Sequence, residues 1–298
     1  MWTPRFACPD CRVAVARDGC AYTCAACGGR FDAADGVFRF GSRALVSAAP
    51  FLRQYRAVRQ ADGHGARTPD AYRALPDVAA SDPTATEWRI RRESFTTLGE
   101  QLALARGRAL RVLDVGAGNA WLSRRLASGG HAPVAVDLND DAADGLRAGE
   151  GSEPPFPLVQ AHFDALPFEA SQFDVVVMNA SLHYSPDPVR TLMEANGMLV
   201  SDGALVVMDS PMFNHRVDGE AMVRQQLAQL GVRYGLDAPA RAGVGFLTFS
   251  GLQQVAERLG RRTRFFASRG PIGWRLGRLR ARWRIGRAPA AFGVWVAQ

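Results

Sequence analysis

Along residues 111–208, short and largely apolar runs alternate with stretches whose apolar positions recur every three or four residues. The runs predict strands at Arg111–Val115, Pro133–Asp137, Leu158–Ala161, Phe173–Met178 and Ala204–Met208. The periodic stretches predict helices at Ala120–Ser128, Asp140–Ala148 and Pro188–Leu199. Gly129-Gly130 stops the first of these, and Asp187 with Pro188 supplies a helix start for the last. Strands this apolar, alternating with helices, imply an α/β protein whose parallel sheet is covered on both faces. Ligands of such sheets sit outside the carboxyl ends of the strands. Gly116, Asp137, His162 and Asn179 would gather there.

Outside this core the periodicity is weaker. Phe51, Leu52, Tyr55 and Val58 share one face of a helix predicted over Pro50–Ala61. The following DGHGARTPD reads as a loop, and a helix over Thr86–Gly107 leads into the first core strand. After Asp209-Ser210-Pro211, residues 211–247 read as an insertion ahead of a helix at Ser250–Leu259. The segment Arg269–Arg287 reads as a basic loop between the two closing strands, Arg264–Ala267 and Ala291–Ala297.

Composition adds two points. At 298 residues, 47% hydrophobic and 22% charged, the chain has room for one large domain and one small one of ordinary globular makeup. The organisation expected is a small unit over residues 1–42, a connecting or lid segment over 43–85, and the main domain over 86–298. No apolar run approaches the length of a membrane span, and the start, MWTPRFACPD, leads straight into a cysteine pair. A cytoplasmic protein is therefore the expectation. The net charge of +7 is unevenly placed: all 36 basic residues are arginine, eleven of them lie from Arg258 to Arg287, and no Asp or Glu follows Glu257. The basicity is local, which points to an anionic partner for that stretch.

All five cysteines precede residue 28. Cys8-Pro9-Asp10-Cys11 and Cys24-Ala25-Ala26-Cys27 are two pairs whose thiolates can converge on one ion, with a hairpin between them closing a tetrahedral site. Zinc suits the site better than iron, although paired knuckles accept either. Cys20 is the odd thiol. So small a unit lacks an adequate core of its own, so the metal is expected to supply most of its folding free energy.

The candidate chemistry centres on Arg111–Ser123, RVLDVGAGNAWLS. A strand, a glycine turn and a helix in that order place backbone N–H groups where they can meet a ligand. Asp114 stands two residues before Gly116, and Asp137 closes the next strand nineteen residues after Gly118, the spacing that carries an acid onto a ribose diol. From Asp114 through Asp137, and on through DALPFEASQFDVVVMNASLHYSPDP, the chain resembles the class I S-adenosylmethionine-dependent methyltransferases.

The resemblance implies a Rossmann-like, seven-stranded sheet completed by the Arg264–Ala267 and Ala291–Ala297 hairpin. It implies that Asp114, Gly116 and Gly118 hold the methionine part of the cofactor and Asp137 its ribose. Ala120 stands where a third glycine is common. His162 occupies the place of an acid that often meets the adenine, beside Phe163, which can stack on the ring, and Asp164. Asn179 and the following ASLHY face the methyl donor in the family, which makes His183 the candidate general base. By the same resemblance Tyr55, Arg59 and Tyr72 are lid candidates, and His215, Arg216 and Tyr234 candidates for a substrate pocket. The first 42 residues resemble the short zinc ribbons that precede some bacterial methyltransferases, with a closing strand near Gly36–Phe40.

Three functions remain open at this point. One is methyl transfer to a small molecule such as a quinone, lipid or secondary metabolite, which the SLHY loop favours. A second is methylation of ribosomal or transfer RNA, using the ribbon and the Arg269–Arg287 stretch, which would equally suit an anionic membrane surface. A third is a non-catalytic zinc-ribbon interaction module, against which the intact Asp114 and Asp137 weigh.

Overall fold

The computed structural model describes residues 2–106, 108–149, 155–235 and 243–298. In chain order its strands are β1 (Ala16–Asp18), β2 (Ala21–Thr23), β3 (Arg30–Ala34), β4 (Val37–Arg39), β5 (Arg111–Val115), β6 (Ala132–Asp137), β7 (Leu158–Gln160), β8 (Phe173–Asn179), β9 (Leu199–Met208), β10 (Met212–Phe213), β11 (Leu247–Thr248), β12 (Thr263–Ala267) and β13 (Gly293–Ala297). Its helices are α1 (Arg43–Ala61), α2 (Pro69–Ala74), α3 (Ala85–Arg106), α4 (Trp121–Ser128), α5 (Pro188–Gly197), α6 (Arg216–Tyr234), α7 (Phe249–Arg258) and α8 (Ile272–Ile285), with a 3-10 turn at Leu182–Tyr184. The chain divides into two compact units. The first comprises Met1–Arg73, Arg108–Asn179 and Arg190–Leu205; the second comprises Ala74–Gly107, Ala180–Val189 and Val206–Gln298.

In the first unit the sheet runs in the order β1-β2-β3-β4-β7-β6-β5-β8-β9. Around its centre the pairing is parallel, with Leu113 opposite Val134 on one side and Val176 on the other. Val112, Leu113, Val134, Ala135, Val176 and Val177 have no measurable exposure. Burial on both faces is why their strands read as continuous apolar runs rather than alternating ones. β9 begins in this unit and ends in the second, where the order continues through β13 to β12. The series β7-β6-β5-β8-β9-β13-β12 is the seven-stranded sheet the resemblance implies.

The surprise lies at β7. The four N-terminal strands form an antiparallel meander, and its last strand, β4, pairs in parallel with β7, Val37 opposite Leu158 and Phe38 opposite Val159. The ribbon is thus part of the sheet. An aromatic cluster seals it: the Phe6 ring lies 4.8 Å from Phe40, 5.0 Å from Phe38, 5.1 Å from Tyr22 and 5.7 Å from Phe168. The N-terminal meander therefore has an apolar cluster, which includes Phe168 from beyond it, and this burial adds a source of folding free energy besides the metal expected to supply most of it.

Other expectations change as well. Residues 140–148 form turns, not the predicted helix. Asp141 takes the N–H groups of Ala143 and Asp144 on one side-chain oxygen, and Leu146 N–H returns to the Asn139 carbonyl. Acidic side chains that bind nearby backbone compete with helix in this way. The helix predicted from Pro50 begins seven residues earlier, at Arg43, where Ser42 accepts from Leu45 N–H at 3.0 Å and caps it.

In the second unit β12 and β13 pair antiparallel as predicted, Phe265 opposite Trp295. The predicted insertion holds α6 and a small parallel pair, β10 with β11; its residues 236–242 lie outside the described ones. Phe213, Met222, Val223, Phe246 and Ala290 form its core. Arg269–Arg287, predicted as a loop, contains the fourteen-residue helix α8. Ile272, Leu276, Leu279 and Trp283 recur at helical spacing, a period that the interleaved arginines obscure in the sequence.

Candidate active site and metal centre

The glycine turn leaves β5 with Gly116 and Gly118 at φ of +74° and +55°. Both lie in the left-handed region where a side chain is disfavoured. Ala120, where a third glycine is common, also sits there at +57°, fully buried. The turn spends its N–H groups differently from the expectation. Gly116 and Ala117 both donate to the Val136 carbonyl, at 2.8 and 2.9 Å, and Gly118 donates to Asp137 Oδ2 at 2.8 Å. These bonds bind the turn to the end of β6 and hold Asp137 in place. Asn139 N–H donates to Asp137 Oδ1 at 2.8 Å, so both carboxylate oxygens are held by backbone N–H groups. Burial pushes the Asp137 pKa up, against the pull of these backbone N–H groups.

Asp114 is fully buried. Its Oδ2 accepts from Ser123 Oγ at 2.8 Å, whereas its Oδ1 is enclosed with no partner among the described residues. Burial raises its pKa to about 7; Ser123 opposes that rise and the nearby Asp137 charge adds to it. On the neighbouring strand β8, Asn179 Oδ1 is likewise enclosed with no partner among the described residues. Two unpaired acceptors at the ends of adjacent strands form a place for a group with several N–H donors and a positive charge, since an unmatched buried oxygen is costly.

Beyond β7, the His162 and Phe163 rings lie 4.5 Å apart. His162 Nδ1 accepts from Asp164 N–H at 3.1 Å, and burial lowers its pKa. Asp164 itself accepts from Thr191 Oγ1, which ties that carboxylate to α5. Of the lid candidates, Arg59 pairs with Asp144, and the Tyr72 hydroxyl donates to the same carboxylate at 3.2 Å. Tyr55 stacks on Phe51 at 5.6 Å and lies under the Arg59 guanidinium. Arg56 also reaches Asn139 Oδ1 at 2.6 Å, so α1 is fastened to the segment directly after Asp137.

In the second unit, His183 lies in the 3-10 turn, half-buried, with Nδ1 3.3 Å from Ser210 Oγ. Burial pushes its pKa down to about 4, so the imidazole is neutral at pH 7. Asp209, just past β9, has φ of +54° and accepts at Oδ1 from Ser94 Oγ at 2.6 Å, while Oδ2 has no partner among the described residues. Its pKa is raised to about 7 by burial. The sequence analysis passed over this residue: its partner Ser94 stands 115 positions earlier, and only its place at a strand end hinted at a role. His215, Arg216 and Tyr234 are not gathered together: His215 and Arg216 open α6 and Tyr234 closes it, with Arg216 engaged by Glu220 at 2.7 Å.

Near the N-terminus the sulfurs of Cys8, Cys11, Cys24 and Cys27 all lie within 4.8 Å of one another, Cys8 and Cys27 at 3.9 Å. Tetrahedral thiolates on zinc stand about 3.8 Å apart, given bonds of about 2.3 Å. The Cys8–Cys27 spacing matches that value, and the four sulfurs together could hold such an ion. Cys11 N–H points to Cys8 Sγ at 3.4 Å. Cys20 is exposed and stands outside this group.

Residues 113–207 match the family model described as a methyltransferase domain. The chain is 35% identical over 78 residues to a malonyl-[acyl-carrier protein] O-methyltransferase of Erwinia pyrifoliae, covering 26% of this chain and 29% of that protein. It is 28% identical over 120 residues to the protein of the same name from Legionella pneumophila, covering 40% and 42%. These alignments span less than half of either relative. A solved structure of magnesium protoporphyrin IX methyltransferase from Synechocystis, with S-adenosylhomocysteine bound, aligns at TM-score 0.49 and 14% identity over 74% of this chain and 88% of that one. The family match falls on the strands and turn that hold Asp114, Gly116, Gly118, Asp137 and Asn179: residues 113–207 of this chain match a methyltransferase domain.

Proposed function

We propose that the protein transfers a methyl group from S-adenosylmethionine to a small molecule of the quinone, lipid or secondary-metabolite class. The observation that carries this is the pair of unpaired acceptors, Asp114 Oδ1 and Asn179 Oδ1, beside a ribose acid already held by the glycine turn. Asp114 and Asn179 would receive the cofactor's ammonium group, Asp137 its ribose diol, and Phe163 with His162 its adenine. The cofactor supplies a sulfonium methyl that an acceptor's lone pair displaces in line. The chain's part is then alignment and exclusion of water. His183, uncharged at neutral pH, is the candidate to take a proton from the acceptor.

The name of the Erwinia and Legionella relatives, malonyl-[acyl-carrier protein] O-methyltransferase, supports an acyl or similar acceptor over RNA. Residues 1–42 serve as a ribbon with one structural zinc on Cys8, Cys11, Cys24 and Cys27, residues 43–85 as a segment fastened beside the ribose acid, and residues 86–298 as the transferase domain. Pairing of β4 with β7 supports a structural ribbon rather than a detached interaction module.

Calorimetry with S-adenosylmethionine tests the cofactor site. Asp137→Ala should weaken binding by about 1–3 kcal/mol, through loss of charge-assisted hydrogen bonds; unchanged affinity removes the ribose assignment. Asp114 adds a pH signature. Free protein holds its proton up to about pH 7, whereas a bound ammonium favours the ionised form. Affinity should therefore rise with pH up to about 7 and then level, with proton release on binding below that point, and Asp114→Asn should abolish both. In the free protein the sign is opposite: the unfolded chain loses this proton near pH 4, so this group's contribution to stability falls as pH rises from about 4 to about 7.

A further inference from the structure

We infer that α8 is a docking element for an anionic lipid surface. The helix is fastened at both ends. Arg269 and Gly270 N–H groups donate to the Glu93 carboxylate at 2.6 and 2.8 Å, ahead of its first turn. At its far end Gln225 of α6 reaches the Ile285 carbonyl at 3.3 Å and accepts from Arg287 Nε at 2.9 Å. Ala288 N–H is held by Asp218 at 2.8 Å. A helix secured this way is a built feature rather than a frayed tail.

Its apolar residues divide between two directions. Trp274 is half-buried, its ring packed over Gly270, where an added Cβ would lie 2.6 Å away. Ile272, Leu276 and Trp283 follow at spacings of four and seven and point to solvent, 74%, 50% and 90% exposed. Positions four and seven apart fall on one side of a helix. Fourteen residues make this element about 21 Å long. Arginine occupies positions 275, 278, 280, 282 and 284 of the same helix, whose side chains lie outside the described ones. No acidic residue follows Glu257.

Charge complementarity names an anionic partner, and the exposed side chains choose among anionic partners. A nucleic acid rewards aromatic stacking and phosphate contacts but offers little to Ile272 and Leu276. A bilayer interface takes aliphatic side chains into the acyl boundary, tryptophan at headgroup level, and arginine against anionic headgroups. No described helix is long and apolar enough to cross a membrane. The helix would lie on the surface.

The test uses the full chain with vesicles of phosphatidylglycerol and phosphatidylcholine in equal parts, vesicles of phosphatidylcholine alone, and polyuridylate RNA. Co-sedimentation should show binding to the anionic vesicles, weakening as salt rises, and much less to the neutral ones. Ile272→Ser, Leu276→Ser and Trp283→Ser combined should lower vesicle affinity about tenfold or more, with the circular dichroism of the parent. Arg278, Arg280, Arg282 and Arg284 all changed to Gln should lower it roughly 100-fold or more. Absence of anionic-vesicle binding, binding to RNA alone, or vesicle binding that survives the triple serine variant would each overturn the assignment. These readouts need no methyl acceptor, so they stand apart from the proposed reaction.

Discussion

Phe6 and Trp283 are both large aromatic side chains near an end of the chain, and they meet opposite fates. Phe6 is 4% exposed, enclosed by four other rings; Trp283 is 90% exposed. The N-terminal ribbon has only short strands, yet it buries its apolar residues by joining the sheet at β7. The C-terminal helix is longer and secured at both ends, yet among its described side chains four apolar residues are exposed, Ile272, Leu276, Trp283 and Ile285. A small element buries its apolar side chains where its own chain supplies a partner surface; where they stay outside, as proposed for α8, they are available to another molecule.

The largest effect in this comparison should come from the metal. Replacing Cys24 and Cys27 by Ser should take zinc from about one per chain to none by elemental analysis, and loosen the ribbon. Structural zinc sites carry about 10–16 kcal/mol of apparent binding free energy in isolated ribbons and fingers. A smaller loss here would show how much the shared sheet contributes, and retained metal would remove the four-cysteine site. Next in size, Phe6→Ala should destabilise by about 3–5 kcal/mol in chemical denaturation, as for other buried aromatic truncations. Smallest is Trp283→Ala, expected within about 0.5 kcal/mol of the parent, as for surface changes away from packing. A Trp283 effect as large as that of Phe6 would break the contrast and reveal a folding role for the outward stripe.

The same contrast explains what could be read from residues alone. The β5 strand, its glycine turn and Asp137 were legible because the signal is local: a strand, two glycines and an acid within twenty-seven positions, Arg111 to Asp137. The four cysteines were legible for the same reason, since metal-ligand spacing is itself a local constraint. Pairing of Val37 with Leu158 was not, because it joins residues that nothing in the intervening chain connects. The absent helix at 140–148 shows a different failure. Apolar spacing there was adequate, but Asp141 offered the backbone a competing partner within two residues. At α8 the assumption of a simple hairpin overrode a helical period present in the sequence. The bonds from Gly116 and Ala117 N–H to Val136, and from Gly118 N–H to Asp137, were not legible because their acceptors belong to another strand.

The parallel pairing of β4 with β7 has a consequence for how the protein survives in a crowded solution. β7 is a three-residue strand whose Leu158 and Val159 are buried, and without the ribbon its outer row of backbone groups would face water unpaired. Such a flat, apolar edge is a template on which strands of other molecules can add. The meander moves the boundary of the sheet to β1, which is three residues long, fully exposed and carries Arg17 and Asp18. A short charged border of this kind discourages strand addition. A chain begun at residue 41 would retain the glycine turn and Asp137 but present β7 as an unpaired margin, and is expected to self-associate more readily than the full chain.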